Sequence, residues 1–123
     1  APVTIGANHG ITIGANGGTL AAPSNNALVV NSPITGPGML TIGDETGAVF
    51  LNNSSNNYAG GTTISSVNTR GFLSIGTGGI TGNLPAGDFF FNSAAGGGRL
   101  YFFRSDAMTV SNTLNGPGLV LQL

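Results

Sequence analysis

Gly36-Pro37-Gly38-Met39-Leu40 returns further along the chain as Gly116-Pro117-Gly118-Leu119-Val120, at an offset of 80. The same offset sets Gly17-Gly18-Thr19-Leu20 over Gly97-Gly98-Arg99-Leu100, Ala27 over Ala107 and Val30 over Val110, without a gap. The stretch at about 3–43 thereby matches that at about 83–123. The matched positions are apolar or turn-forming, as a repeated backbone path requires.

Between these landmarks, short apolar runs recur. Leu28-Val29-Val30, Met39-Leu40-Thr41-Ile42, Ala48-Val49-Phe50-Leu51, Phe72-Leu73-Ser74-Ile75, Phe89-Phe90-Phe91 and Leu119-Val120-Leu121-Gln122 are examples, nearly all fenced by Gly, Asn, Ser or Pro. Their spacing of roughly 8 to 12 residues fits an antiparallel sandwich or barrel, or a parallel solenoid. The offset repeat favours the solenoid. So does the lack of clear two-residue hairpin signals: Asn16-Gly17 and Asn115-Gly116 each adjoin a further Gly or Pro and read as corners. The expected fold is all-β, a parallel β-helix of about five coils of about 20 to 25 residues, with coils roughly 4.8 Å apart in a rod about 25 Å long. The whole chain, 1–123, forms a single β-helical segment in this reading.

Composition agrees with that expectation. Gly accounts for 22 of 123 residues and charged residues for 6%, against about 25% in ordinary globular proteins. Cys, Trp and Lys are absent, so a disulfide scaffold and a cysteine-ligated metal are excluded. Three Arg and a net charge of −1 make a poor footprint for nucleic acid, and no nucleic-acid partner is expected. With 40% apolar residues and almost no charge, the chain does not have the composition of a disordered one. Helix formers other than Leu and Ala are scarce. Gly and Asn suit corners that need left-handed backbone, and Asn52, Asn53, Asn56 and Asn57 are candidates for side-chain ladders between coils. The long uncharged stretches are too rich in Gly and Asn to span a bilayer as helices, and two Tyr do not supply a barrel's aromatic girdles, so no membrane insertion of this segment is expected. A start at Ala1-Pro2 reads as a mature chain or a fragment.

Three stretches together carry a family resemblance: Gly38-Met39-Leu40-Thr41-Ile42-Gly43, then Asn56-Asn57-Tyr58-Ala59-Gly60-Gly61-Thr62-Thr63-Ile64-Ser65, then Phe72-Leu73-Ser74-Ile75-Gly76. This order is similar to the passenger-associated β-strand repeat of autotransporters, at about 36–82, with Tyr58, Gly60, Gly61, Thr62, Thr63 and Ile64 matching it closely. Two departures stand out: Asp44 to Leu51 read as an insertion, and Ser66 to Gly71 take a longer route after the Thr-Thr-Ile strand. The resemblance implies a right-handed parallel β-helix on the surface of, or secreted from, a Gram-negative bacterium. The chain would then be an uncapped stalk fragment.

Ionisable groups are few. His9 stands alone and reads as an exposed corner residue, since a metal site or a catalytic triad needs partners it does not have nearby. Asp44 and Glu45 are adjacent, whereas glycoside hydrolysis needs two carboxyl groups facing across a cleft at roughly 5 to 9 Å; they read as a solvated loop pair. Asp88, Arg99, Arg104 and Asp106 read as a surface ion-pair set. Gly76-Thr77-Gly78-Gly79 and Gly96-Gly97-Gly98 lack the Lys and helix of a phosphate loop and read as corners. Asn52-Asn53-Ser54 and Asn53-Ser54-Ser55 are formal glycosylation sequons without weight in a bacterial protein. No catalytic, cofactor-binding or metal-ligating residue is expected.

The aromatics divide two ways. Phe89-Phe90-Phe91 and Tyr101-Phe102-Phe103 alternate across their strands, so Phe90 points out if Phe89 and Phe91 point in, with the same alternation for Phe102 against Tyr101 and Phe103. At offset 80 their counterparts are His9, Gly10, Ile11 and Ala21, Ala22, Pro23, so the coil path does not require them. Phe90, Phe102 and Tyr101 are therefore the candidate contact patch, with local packing as the competing account. The functional expectation is a structural, non-catalytic stalk; the alternative is an adhesin or a carbohydrate- or protein-binding module using the aromatics. Ice binding is disfavoured because the Thr residues show no regular Thr-x-Thr array. An enzyme of the β-helical lyase or glycosidase kind lacks the clustered acids and bases it needs. Expected partners are neighbouring coils of the parent protein, and a second copy through coil edges or the aromatic patch.

Overall fold

Apolar residues alternating with small or polar ones over three or four positions, then closed by Gly, Asn or Pro, make a strand too short to stand alone. Its backbone must pair with the next such segment. The structure, a computed structural model, describes residues 2–43, 46–65, 71–92 and 98–123, and among them it contains strands and turns but no helix. In chain order the strands are β1 (Val3–Ile5), β2 (Ile11–Thr12), β3 (Gly18–Leu20), β4 (Ala27–Val30), β5 (Ile34–Thr35), β6 (Leu40–Ile42) and β7 (Ala48–Leu51). They continue as β8 (Thr62–Ile64), β9 (Phe72–Ile75), β10 (Phe89–Phe91), β11 (Arg99–Phe102), β12 (Leu114–Asn115) and β13 (Leu119–Gln122).

Among the described residues all strand pairings are parallel. One sheet runs β1-β4-β7-β9-β11-β13, a second runs β12-β10-β8-β6-β3, and β2 pairs with β5 on a third side. In the six-stranded sheet Val3 pairs with Leu28, Ala27 with Ala48, Ala48 with Phe72, Phe72 with Arg99, and Arg99 with Leu119. Each of these steps is one coil. The chain is a parallel β-solenoid of about five turns, not a barrel.

Because side chains alternate along a strand, in-register stacking turns each inward position into a column. Leu28, Val49, Leu73 and Leu100 form one; Val30, Leu51 and Ile75 form another, continued by Phe102. From the opposite sheet come Leu40, Thr62 and Phe89, beside Ile42, Ile64 and Phe91. Leu51, Leu73, Ile75, Leu100, Ile64 and Phe89 are wholly buried. At the last coil the column loses its cover: Val120, stacked on Leu100, is 43% exposed.

Two readings of the sequence need correction. The offset of 80 is not a step of the solenoid, for it carries Leu20 of β3 onto Leu100 of β11, on another sheet. What repeats is a local turn. Gly36-Pro37-Gly38 leads from β5 into β6, and Gly116-Pro117-Gly118 from β12 into β13, at different corners of the coil. Gly36 and Gly116 have φ of 109° and 101°, and a methyl on either would enter the carbonyl oxygen of Ile13 or Phe91 in the coil below. Second, Ala48–Leu51 is no insertion: it is β7, paired on both sides with β4 and β9. Asp44 and Glu45 lie outside the described residues, as do Ser66 to Arg70 and the Gly96-Gly97 pair.

Candidate functional site

Phe89 and Phe91 turn into the core and Phe90, between them, is 42% exposed, as alternation requires. The other two aromatic candidates part company. Tyr101 faces out from the six-stranded sheet, where its ring stacks on Phe72 at 4.6 Å between centroids, and Phe72 meets Phe50 edge-on at 5.6 Å. Ser74 stands in register between Phe50 and Tyr101, is fully buried and donates to the Gly76 carbonyl at 2.9 Å. Phe102, one residue on, packs against the core cluster. Phe90 lies on the other sheet. Phe90, Tyr101 and Phe102 therefore do not make one patch: Tyr101 belongs to an outer aromatic stack, Phe102 packs half-buried against the core, and Phe90 stands apart from both.

Around Phe90 the five-stranded sheet builds a distinct surface. Register places Thr19, Thr41, Thr63, Phe90 and Asn115 in one outward column, one per coil. Beside it Met39 is 38% exposed, and the Thr63 hydroxyl donates to its sulfur at 2.9 Å. A trough of about 600 Å³ lies on this face, lined by Met39, Thr41, Thr63, Ser65, Phe90 and Asn115 together with Phe91, Asn92 and Gly116. Three threonines thus do form a file, though a single one that Phe90 ends. The Met39 and Asn115 contributions are invisible in the linear sequence. Only the unequal coil lengths, from Thr41 to Thr63, from Thr63 to Phe90 and from Phe90 to Asn115, bring them together.

Polar groups elsewhere serve the stacking. Asn56 is buried; its Oδ1 accepts from the Ile34 amide at 3.0 Å, and its Nδ2 donates to the carbonyls of Asn53 at 2.9 Å and Asn83 at 3.3 Å. Asn83 returns the pattern, its Oδ1 accepting from the Asn56 amide at 2.9 Å. Asn52 donates to the Asn31 side chain at 2.9 Å and accepts from Thr77 and Thr81, while Asn53 donates to the Asn31 carbonyl. The sequon amides are thereby occupied. Most of these bonds run between coils, and one, from Asn56 to the Asn53 carbonyl, lies within the cluster of four asparagines; Asn57 takes part through its backbone amide, which donates to the Ile34 carbonyl. Inside the core the Tyr58 hydroxyl lies 2.7 Å from the Thr62 hydroxyl, and burial pushes the Tyr58 phenol up to about 12.

Among the described residues the ionisable groups do not converge. Among the described residues the one ion pair is Arg104–Asp106, at 2.6 Å, with Arg104 also donating to the Gly82 carbonyl one coil below. The mutual hydrogen bond raises the Arg104 guanidinium further and lowers the Asp106 carboxyl. Arg99 and Asp88 are not joined to that pair. His9 is exposed, and no three His, Asp or Glu among the described residues gather as a metal site would require. The class the geometry defines is a parallel β-solenoid with outer faces poor in charge. Comparison with protein-family models, curated proteins and solved structures gives no match to the chain.

Proposed function

We propose that the chain is a structural, non-catalytic segment of a β-helical stalk, of the kind found in autotransporter-like proteins at or beyond the bacterial cell surface. The observation that carries this reading is the unbroken parallel register of the six-stranded sheet, whose inner columns are filled by Leu, Val and Ile in coil after coil. Rigidity here comes from backbone bonds between coils and from stacked apolar columns, neither of which depends on charge. The resemblance to the passenger repeat supports the setting, and the Tyr58–Thr62 contact gives two of its residues a physical task in the core.

Such a segment keeps its stability across pH, because few groups exchange protons on unfolding. Asp106 is exposed, so the stability its lowered pKa contributes is small, is present above the ordinary carboxylate range, and fades as pH falls through it. Circular-dichroism melting between pH 3 and pH 9 should give a nearly constant Tm. A change larger than about 15 °C over that window contradicts the stalk reading.

A further inference from the structure

We infer that the trough around Phe90 is a binding site for a neutral oligosaccharide. This goes beyond the stalk reading and does not depend on it.

The column on the five-stranded sheet contains a misfit. Thr19, Thr41 and Thr63 occupy successive outward positions, and the next coil places Phe90 there. A phenyl ring left 42% exposed forgoes part of the stabilisation that full burial brings. Asn115 on the following coil shows that a small polar residue fits the same position. The fold alone therefore draws only part of what the ring can give at this place, and a ligand that covers the ring draws the rest.

The chemistry of the lining narrows that ligand. Thr41, Ser65, Asn92 and Asn115 carry hydroxyls and carboxamides, groups that both donate and accept, and among the described residues no charged side chain lines the trough. An anion or cation finds no counter-charge in that lining. A wholly apolar molecule would desolvate those amides and hydroxyls without replacing their bonds. A pyranose presents both surfaces: an apolar C–H face to lie on Phe90 and Met39, and hydroxyls that donate and accept along the rim. An extended peptide is disfavoured for a separate reason. β10 is already paired on both edges, with β8 and β12, so it offers no free backbone edge for strand addition. The trough's size is ordinary for a small-ligand site, about 300 to 1,000 Å³. It also stands on strands fixed by the coils below and above, so little ordering is needed on binding.

The test uses the intact chain labelled with ¹⁵N, titrated separately with maltohexaose, cellohexaose and chitohexaose, and with a heparin hexasaccharide as the charged control. At least one neutral hexasaccharide should shift the amide signals of Thr41, Thr63, Phe90 and Asn115 and leave Tyr101 and Phe72 in place. Phe90→Ala should weaken that binding by about tenfold, and Phe90→Tyr should retain it. Because Phe90 is half outside the core, both variants should keep the wild-type spectrum elsewhere, which separates lost binding from lost folding. The inference is overturned if no neutral hexasaccharide moves those signals at about 10 mM, a concentration that reveals even very weak sites. It is equally overturned if Phe90→Ala binds as the wild type does, or if the heparin fragment shifts the same amides as strongly. None of these results touches the flat pH profile that tests the stalk.

Discussion

Replacing Asn56 by Asp changes one NH₂ group into an oxygen and nothing else in shape, yet it should be among the most damaging substitutions in the chain. The Asn56 Oδ1 that accepts from Ile34 survives the change. The Nδ2 that donates to the Asn53 and Asn83 carbonyls, at 2.9 and 3.3 Å, does not. Losing those bonds costs about 1 kcal/mol each. A carboxylate held against two carbonyl oxygens in a site only 4% exposed adds a charge without a partner. Together they should cost about 4 kcal/mol at pH 7, or about 15 °C in Tm for a domain of this size. The sign with pH follows. Burial and the facing carbonyls raise the pKa of the new carboxyl above its unfolded value of about 3.9, so the neutral acid is tolerated at low pH and stability falls as pH rises through the raised value. At pH 3 the acid proton can return one bond to a carbonyl, and the loss should shrink to about 5 °C. Asn56→Ala, which introduces no charge, should lose stability equally at both pH values. Melting curves at pH 3 and pH 7 decide the matter. An Asn56→Asp chain melting within about 3 °C of wild type at pH 7, or one equally damaged at both pH values, refutes the ladder's role.

Two further outcomes follow from the core. Tyr58 holds its phenolic proton from pH 10.0 up to about 12 when folded, so the chain should lose about 2 to 3 kcal/mol as pH climbs through that interval. Tyr58→Phe should remove this alkaline loss, at a fixed cost of about 1 to 2 kcal/mol for the stranded Thr62 hydroxyl, both visible in urea unfolding at pH 9 and pH 11.5. In one column, Leu73→Ala, wholly buried in mid-solenoid, should cost about 3 kcal/mol, whereas Val120→Ala at the open end, 43% exposed, should cost less than about 1 kcal/mol. Equal costs at the two positions would mean that neighbouring coils do not cover Leu73.

Much of the solenoid is written in local chemistry. Short apolar runs such as Ala48-Val49-Phe50-Leu51, closed by Gly or Asn, specify strands that cannot pair with close neighbours in sequence, and the absence of hairpin turns leaves the next coil as their partner. Register is harder to read. Coil steps are unequal in the six-stranded sheet, longest from Phe72 to Arg99 and shortest from Arg99 to Leu119, so no fixed period exists for a sequence comparison to find. The strongest internal match therefore picks out a turn. Gly-Pro-Gly solves the same steric problem at two corners, where the backbone passes directly above Ile13 in one case and Phe91 in the other.

The same variation in coil length hides the Phe90 surface from the sequence. Alternation alone predicts that Phe90 points outward, because it concerns neighbours on a single strand. That Thr63, Asn115 and Met39 surround it depends on three loop lengths. Tyr101 and Phe90 share aromatic character, yet the surroundings of Tyr101 are Phe72 and, beyond it, Phe50, contributed by the two preceding coils. The asparagine ladders show the limit from the other side. Clustering of Asn52, Asn53, Asn56 and Asn57 signals a corner, but their partners Asn31 and Asn83 lie one coil away in each direction.

Coil-on-coil stacking is tested most directly by nuclear Overhauser contacts in a methyl-labelled sample. Val49 should show methyl contacts to Leu28 and Leu73, and Leu73 to Leu100, with no strong Hα–Hα contact between any two strands. Strong Hα–Hα contacts between neighbouring strands, the mark of antiparallel pairing, together with silence between Leu73 and Leu100, would contradict the account.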